Sequence, residues 1–241
     1  MDFTTIDNQN RAIIDNVTYV PQKVPTLHTA LTVGSYADSH AAVYGQTNPL
    51  LIKSGDVVEV VIKNHDDGSH PWHTHGYWFQ VIARSPVNSG GYKGEKLTPP
   101  HRRPLQRDTA SVNAGGYLAF RFRANNPGVH LFHCHIEWHV VSGLVATLIQ
   151  TPSQLQGQLE VPRDQLEACR RLGIPTKGNA AGNTRDPLDL TGANTQPPPH
   201  PMGALVNASA LQDPHRPRKG HPAWPHWPKK GHHHHKSGYR V

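Results

Sequence analysis

Six histidines and one cysteine of this 241-residue chain fall into two short segments. The first reads His70-Pro71-Trp72-His73-Thr74-His75-Gly76. The second reads His133-Cys134-His135-Ile136-Glu137-Trp138-His139, with Gly143-Leu144 just beyond it. Eleven histidines precede residue 196, so more than half of those lie in the two segments, a density that chance does not supply. Imidazole and thiolate are ligands for borderline and soft metals, which makes metal binding the first chemistry to consider. In an extended strand, successive side chains point to opposite faces. His133 and His135 then share one face and Cys134 takes the other. His73 and His75 also share a face, and the intervening Pro71 is expected to turn His70 elsewhere. The simplest assembly puts His70, Cys134 and His139 on one metal. His73, His75, His133 and His135 are left facing a second centre.

A thiolate with two imidazoles in a trigonal array is the ligand set of a blue-copper electron-transfer site. Zinc is a rival, because it accepts the same donors, but it has no use for four further histidines, and no second cysteine is nearby. A structural buried cysteine among incidental histidines is the plainer alternative. A weak axial methionine often completes a blue-copper site. Here the only methionines are Met1 and Met202, both distant in sequence, so Leu144 is the candidate axial neighbour and would not coordinate. Without a thioether, Cu(II) is disfavoured relative to Cu(I), and a high potential suits an oxidant. Because Cys134 is flanked by two ligands of the other centre, few covalent bonds separate the two.

These residues need strands to hold them. Val57–Ile62, Trp78–Ala83, Tyr117–Phe122, Val129–His135 and Leu144–Gln150 are short apolar or alternating runs bounded by Gly, Pro, Asn and Asp. That pattern predicts an all-β, antiparallel, Greek-key sandwich. Ser85–Arg107 is polar and rich in Pro and Gly, and reads as a surface loop. Pro162–Leu172 has helical spacing, with Leu166, Cys169 and Leu172 on one face and Gly173 as its stop. Residues 1–160 form the expected sandwich domain, 161–195 a helical extension and 196–241 a disordered Pro/His-rich tail. The tail carries six of the seven net positive charges, so the basic balance does not indicate a nucleic-acid partner. No apolar run is long enough to cross a membrane. Met1–Asp7 lacks the basic and apolar regions of a signal peptide. Cys169 reads as structural. His28, His40, His65, His101 and His130 do not read as ligands, and His232–His235 reads as an unselected tail or a weak metal tract.

The two histidine segments resemble the paired copper motifs in the last domain of multicopper oxidases, over roughly Val17–Thr195. The resemblance implies a cupredoxin fold and copper as cofactor. By that likeness His70, Cys134 and His139 hold the mononuclear copper, with Leu144 axial. His73 serves the type 2 copper of a trinuclear cluster, and His75, His133 and His135 serve its type 3 pair. Asn64-His65-Asp66-Asp67-Gly68-Ser69-His70 is similar to the yeast-type iron-transport ferroxidases, where an acid four residues before the ligand helps hold Fe(II) and pass its electron on. Asp66 stands at that position, although an Asp before Gly68 is also an ordinary turn former. Gly178–Thr184 and Leu188–Gly192 resemble the same subfamily.

The implied reaction is Fe(II) oxidation coupled to O₂ reduction to water, with an iron permease as partner, at the outer face of the plasma membrane or in secreted form. A laccase-like oxidation of phenols and a non-enzymatic electron-transfer domain are the alternatives. The family builds its trinuclear cluster from two domains, and no second pair of His-x-His motifs is present here. The expectation is therefore a shortened chain without its N-terminal cupredoxin domains, signal peptide or anchor, with little O₂-reducing turnover alone.

Overall fold

The computed structural model describes residues 1–6, 9–95 and 102–198. The apolar runs form two sheets. One has the strand order β3 (Pro49–Ile52), β11 (Val145–Gln150), β10 (Gly128–Cys134), β5 (His70–Thr74) and β8 (Thr109–Val112). The other has the order β4 (Val57–Lys63), β9 (Tyr117–Arg123), β6 (Phe79–Arg84) and β7 (Gln106–Arg107). A separate hairpin pairs β1 (Asp2–Ile6) with β2 (Gln9–Ile13). Trp72, Phe132 and Leu148 of the first sheet meet Phe79, Leu118, Phe120 and Phe122 of the second in one buried cluster. Phe120 joins the layers, its ring 4.2 Å from Phe79 and 5.7 Å from Phe132. Non-directional burial of these rings holds the sheets face to face.

Three features depart from the sequence expectation. First, β3 joins β11 in parallel, so the sandwich is not purely antiparallel. A parallel pair needs a long crossover between its strands, and here most of the domain lies between them. Second, residues 26–44, inside the expected all-β domain, are largely helical. They form α1 (Thr26–Thr32), α2 (Tyr36–Ser39) and a 3-10 turn at Ala41–Tyr44. Ala30, Val33, Ala37, Val43 and Tyr44 cover the second face of β11 and pack on Ile149, so β11 is buried at every residue. Third, the end of the Ser85–Arg107 loop is a short edge strand, β7, paired with β6.

Both cysteines are free thiols. Beyond the sandwich, α3 (Glu137–Val141) lies between β10 and β11, and α4 (Arg163–Arg171) follows with Cys169 buried. The tail expected as disordered lies outside the described residues from 199 onward; up to Pro198 the chain stays on the body, where the Pro198 carbonyl accepts a hydrogen bond from Arg11 Nη2 at 2.8 Å.

The stretch after Gly178 has no apolar periodicity, and one amide organises it. Asn179 is fully buried. Its Nδ2 donates to the carbonyls of Pro187 (3.0 Å) and Asp189 (2.6 Å), and its Oδ1 accepts from the N–H groups of Ala181 and Asn183 (both 3.0 Å). Ala180 ties this knot to the body by donating its N–H to the Val43 carbonyl at 2.7 Å. Asn179→Ala strips partners from four main-chain groups and is expected to cost about 3 kcal/mol. Urea unfolding checks this, and an unchanged midpoint would contradict it.

Candidate metal centre

One strand, β5, contributes histidines to both groups. Its burial alternates, with His70, Trp72 and Thr74 inward and Pro71 and His73 outward. Pro71 does not turn the chain, contrary to the sequence expectation. It stays in register opposite Ser111 of β8, and its carbonyl accepts the His135 N–H at 2.7 Å. His70 and His73 diverge because three is an odd spacing in a period of two. On the neighbouring strand β10, Cys134 lies opposite Trp72 and His133 opposite His73. The register therefore puts Cys134 on the inner side and His133 on the outer. His135 lies just past the end of β10.

The chain then turns through α3, which delivers His139 back to the inner side. The turn closes at Gly143, whose φ is +102°. A Cβ there would stand 2.7 Å from Thr18 Cγ2, so a side chain is excluded. Leu144 follows, fully buried, donating its N–H to the His139 carbonyl (2.8 Å) and accepting from the Cys134 N–H (3.2 Å).

The inner group is a closed triangle. His70 Nδ1 and His139 Nδ1 are 3.1 Å apart, and Cys134 Sγ is 3.7 Å from the first and 3.5 Å from the second. Among the described residues, this is the only set of three or more His, Cys, Asp or Glu ligand atoms that all lie within 4.8 Å of one another. Burial pushes the Cys134 thiol up to about 11, against a small opposing pull from the Ile136 backbone. Burial, then the neighbouring His70, lower the pKa of His139. Without metal at neutral pH the site therefore holds a protonated thiol and a neutral His139.

Asp66 reaches this triangle from outside. His70 Nε2–H donates to Asp66 Oδ2 at 2.9 Å, which leaves Nδ1 to face the thiol. The Gly68 N–H donates to the same oxygen at 2.8 Å, and the Asp66 N–H donates to Asn64 Oδ1 at 3.0 Å. Partial burial pushes the Asp66 pKa up, but the Gly68 N–H and His70 outweigh it and the net shift is downward. The His70 side chain is 0% exposed and that of Asp66 30%, so the carboxylate is the link between solvent and the buried imidazole. Sequence spacing placed an acid near His70; the hydrogen bond that fixes the His70 tautomer had no signal of its own.

In the outer group His75 and His135 are exposed, His73 is half-buried and His133 is buried. Ring centroids are 5.0 Å apart for His73 and His75, 5.2 Å for His75 and His133, and 5.6 Å for His73 and His135. His75 Nε2 and His133 Nε2 come within 3.1 Å. His73 Nδ1 is held by the Asp108 carbonyl (3.0 Å) and His133 Nδ1 by the Cys134 carbonyl (2.9 Å), which leaves Nε2 as the nitrogen of each ring that could meet a metal. Burial is the first cause lowering the pKa of both His75 and His133.

The model of the family described as "Multicopper oxidase" matches residues 19–154, a segment that contains every residue of both groups. The chain belongs to the multicopper oxidase family. Among curated multicopper oxidases, it is 48% identical over 203 residues to the iron transport multicopper oxidase fetC of Epichloe festucae, covering 82% of this chain and 32% of that protein. It is 46% identical over 210 residues to the iron transport multicopper oxidase FET3 of Gibberella zeae, covering 83% and 34%. This chain thus spans about a third of the length of those relatives. Among solved structures, Fet3p, a multicopper oxidase that functions in iron import, superposes with a TM-score of 0.70 at 34% identity, over 83% of this chain and 39% of that one. A mutant laccase from B. aclada superposes at 0.51 with 19% identity, over 73% and 32%, a likeness of fold alone. The strands, the sandwich and these matches make the domain a cupredoxin-type β-fold.

A multicopper oxidase takes copper as its cofactor, and the inner triangle fits it. Three ligands at about 120° with bonds of roughly 2.0 Å to nitrogen and 2.3 Å to sulfur span edges of about 3.5 and 3.7 Å. The observed 3.5 and 3.7 Å edges to sulfur match, and the shorter 3.1 Å nitrogen edge needs only a narrower angle. A soft thiolate with two imidazoles is the donor chemistry that copper prefers, and no described carboxylate belongs to the triangle.

Proposed function

We propose that this chain is the electron-accepting copper domain of an iron-oxidising multicopper oxidase, with His70, Cys134 and His139 holding the mononuclear copper and Leu144 as its apolar, non-coordinating neighbour. Copper bound there supplies one-electron acceptance at high potential. Asp66 carries the iron assignment, because its partly exposed carboxylate is hydrogen-bonded to a buried ligand imidazole at 2.9 Å. A carboxylate is a hard donor that attracts Fe(II) and favours Fe(III) more strongly. The similar proteins of Epichloe festucae and Gibberella zeae are named iron-transport multicopper oxidases, which supports the same substrate.

His73, His75, His133 and His135 are this domain's share of the cluster at which the complete enzyme reduces O₂ to water. The Cys134 main chain joins the two groups through its direct neighbours. Of the four outer histidines, His75 and His135 are exposed, and the cupredoxin domains expected elsewhere in a complete enzyme supply the remaining ligands. An iron permease that takes the Fe(III) product, at the outer face of the plasma membrane, completes the proposal.

The test is single-turnover reduction of the oxidised, copper-loaded chain by Fe(II) and by a phenol, followed by bleaching of its visible band. Asp66→Ala is expected to slow Fe(II) roughly 30-fold, the size of a lost charge-assisted contact. Phenol should stay within about threefold, since it needs no hard anionic donor. Asp66→Asn keeps a hydrogen-bond partner for His70 without the charge, and is expected to slow Fe(II) nearly as much. Undiminished Fe(II) reduction in Asp66→Ala would remove the iron assignment.

A further inference from the structure

The N-terminal hairpin has no part in the metal chemistry so far, yet one of its side chains lies on the inner site. The Phe3 ring is 5.8 Å from the His70 ring at an interplanar angle of 29°, stacked on it. It meets the His139 ring edge-on, at 5.0 Å and 63°. The two imidazoles are themselves 4.8 Å apart, tilted by 46°. One phenyl ring therefore touches both nitrogen-donor side chains of the triangle and also packs against the main buried cluster.

The backbone around Phe3 is tied to the loops that deliver those two imidazoles. Phe3 pairs with Ala12 across the hairpin. The Ala12 N–H donates to the Ser142 carbonyl at 2.8 Å, just after the helix that carries His139. The Ala12 carbonyl accepts the Thr18 hydroxyl at 3.0 Å, and the Thr18 methyl fills the space beside Gly143. At the other end of β1, the His65 N–H donates to the Met1 carbonyl at 3.1 Å, next to Asp66. The hairpin is thus bonded on one side to the His139 turn and on the other to the loop that leads to Asp66 and His70.

We propose that Phe3 is a positioning residue of the mononuclear site: it locks His70 and His139 in the geometry that receives copper and keeps water from the imidazole side of the site. The proposal rests on the copper reading above for its redox consequence. Its mechanical consequence does not. A stacked ring restricts imidazole rotation, and an apolar cover lowers the local dielectric. The oxidised site carries one more positive charge than the reduced site, so admitting water favours oxidation and lowers the potential.

Two measurements on the full chain test it. In the metal-free chain, carbethoxylation of each histidine is followed by mass spectrometry. Phe3→Ala is expected to speed reaction at His70 and His139 roughly fivefold, with His40 and His73 unchanged as internal controls. Phe3→Leu, which keeps the apolar cover without the ring, is expected to give a smaller rise at the same two residues. In the copper-loaded chain held in a fixed redox buffer, the reduced-to-oxidised ratio is expected to fall about tenfold in Phe3→Ala, equivalent to 59 mV for a one-electron couple. It should change far less in Phe3→Leu. A purely structural residue would alter stability without moving that ratio.

Unchanged rates at His70 and His139 in Phe3→Ala overturn the proposal. A uniform rise at all histidines in Phe3→Ala reports unfolding, and then Phe3→Leu decides by whether its rise is confined to those two. A wild-type chain with no visible band contradicts the copper reading instead, and the metal-free measurement still tests Phe3.

Discussion

The Cys134→Ser chain is expected to show no intense visible band after copper loading, and to bind its first copper more than about a hundredfold more weakly. Loss of an outer-shell partner alone costs 10–100-fold, and here a ligand itself is replaced. Sulfur is the only soft donor in the triangle, and the absorption arises from its bond to copper. Serine is nearly isosteric, so the buried position opposite Trp72 stays filled and the two sheets stay packed. Its hydroxyl ionises far less readily than a thiol and offers no soft anion. The comparison with wild type is made by chelator competition and visible spectroscopy on folded protein. A retained band in Cys134→Ser would mean that the chromophore lies elsewhere.

Copper binding by the wild-type chain is expected to tighten about tenfold per pH unit from neutral pH up to about 11. The sign follows from the thiol. Burial raises its pKa to about 11, above its ordinary value, so at pH 7 the metal-free site holds S–H and copper must displace that proton. Below the pKa, each unit of pH removes a tenfold proton competition; above it the dependence ends. His139, with its pKa lowered, adds no proton near neutrality and steepens the dependence only in acid. The same shift bears on the metal-free fold. The unfolded thiol ionises near 9 and the folded one near 11, so stability is whole below the first value and declines as pH rises through the second. Chelator competition in buffers from pH 7 to 9 checks the slope, and Cys134→Ser should abolish it. A flat profile in wild type would mean that no buried thiol proton is displaced.

The site was largely legible in the sequence because its logic is local. The alternation of side chains in a strand separates Cys134 from His133 and His135 within a tripeptide, and pairing β10 with β5 carries that separation across to His70 and His73. The same rule makes Pro71 unnecessary as a turn; it stays extended at the sheet position opposite Ser111 and gives its carbonyl to His135. The strands with long apolar runs were equally plain.

What stayed hidden depends on long-range register. Nothing near Pro49–Ile52 says that it will pair in parallel with Val145–Gln150. The helical pieces from Thr26 to Tyr44 are short, and Ala30, Ala37 and Tyr44 in them cover a strand distant in sequence. Asp66 was visible as an acid near a ligand, but its hydrogen bond to His70 follows from the turn at Gly68. Phe3 carries no motif; its contact with two imidazoles arises only when the hairpin is bonded to the turn after His139.

Copper K-edge X-ray absorption on the wild-type chain loaded with one copper tests the inner triangle most directly. The expected first shell is one sulfur and two imidazole nitrogens, with the sulfur lost in Cys134→Ser. A shell of nitrogen and oxygen alone would contradict the assignment, because it would place the first copper with His73, His75, His133 and His135 instead of with Cys134.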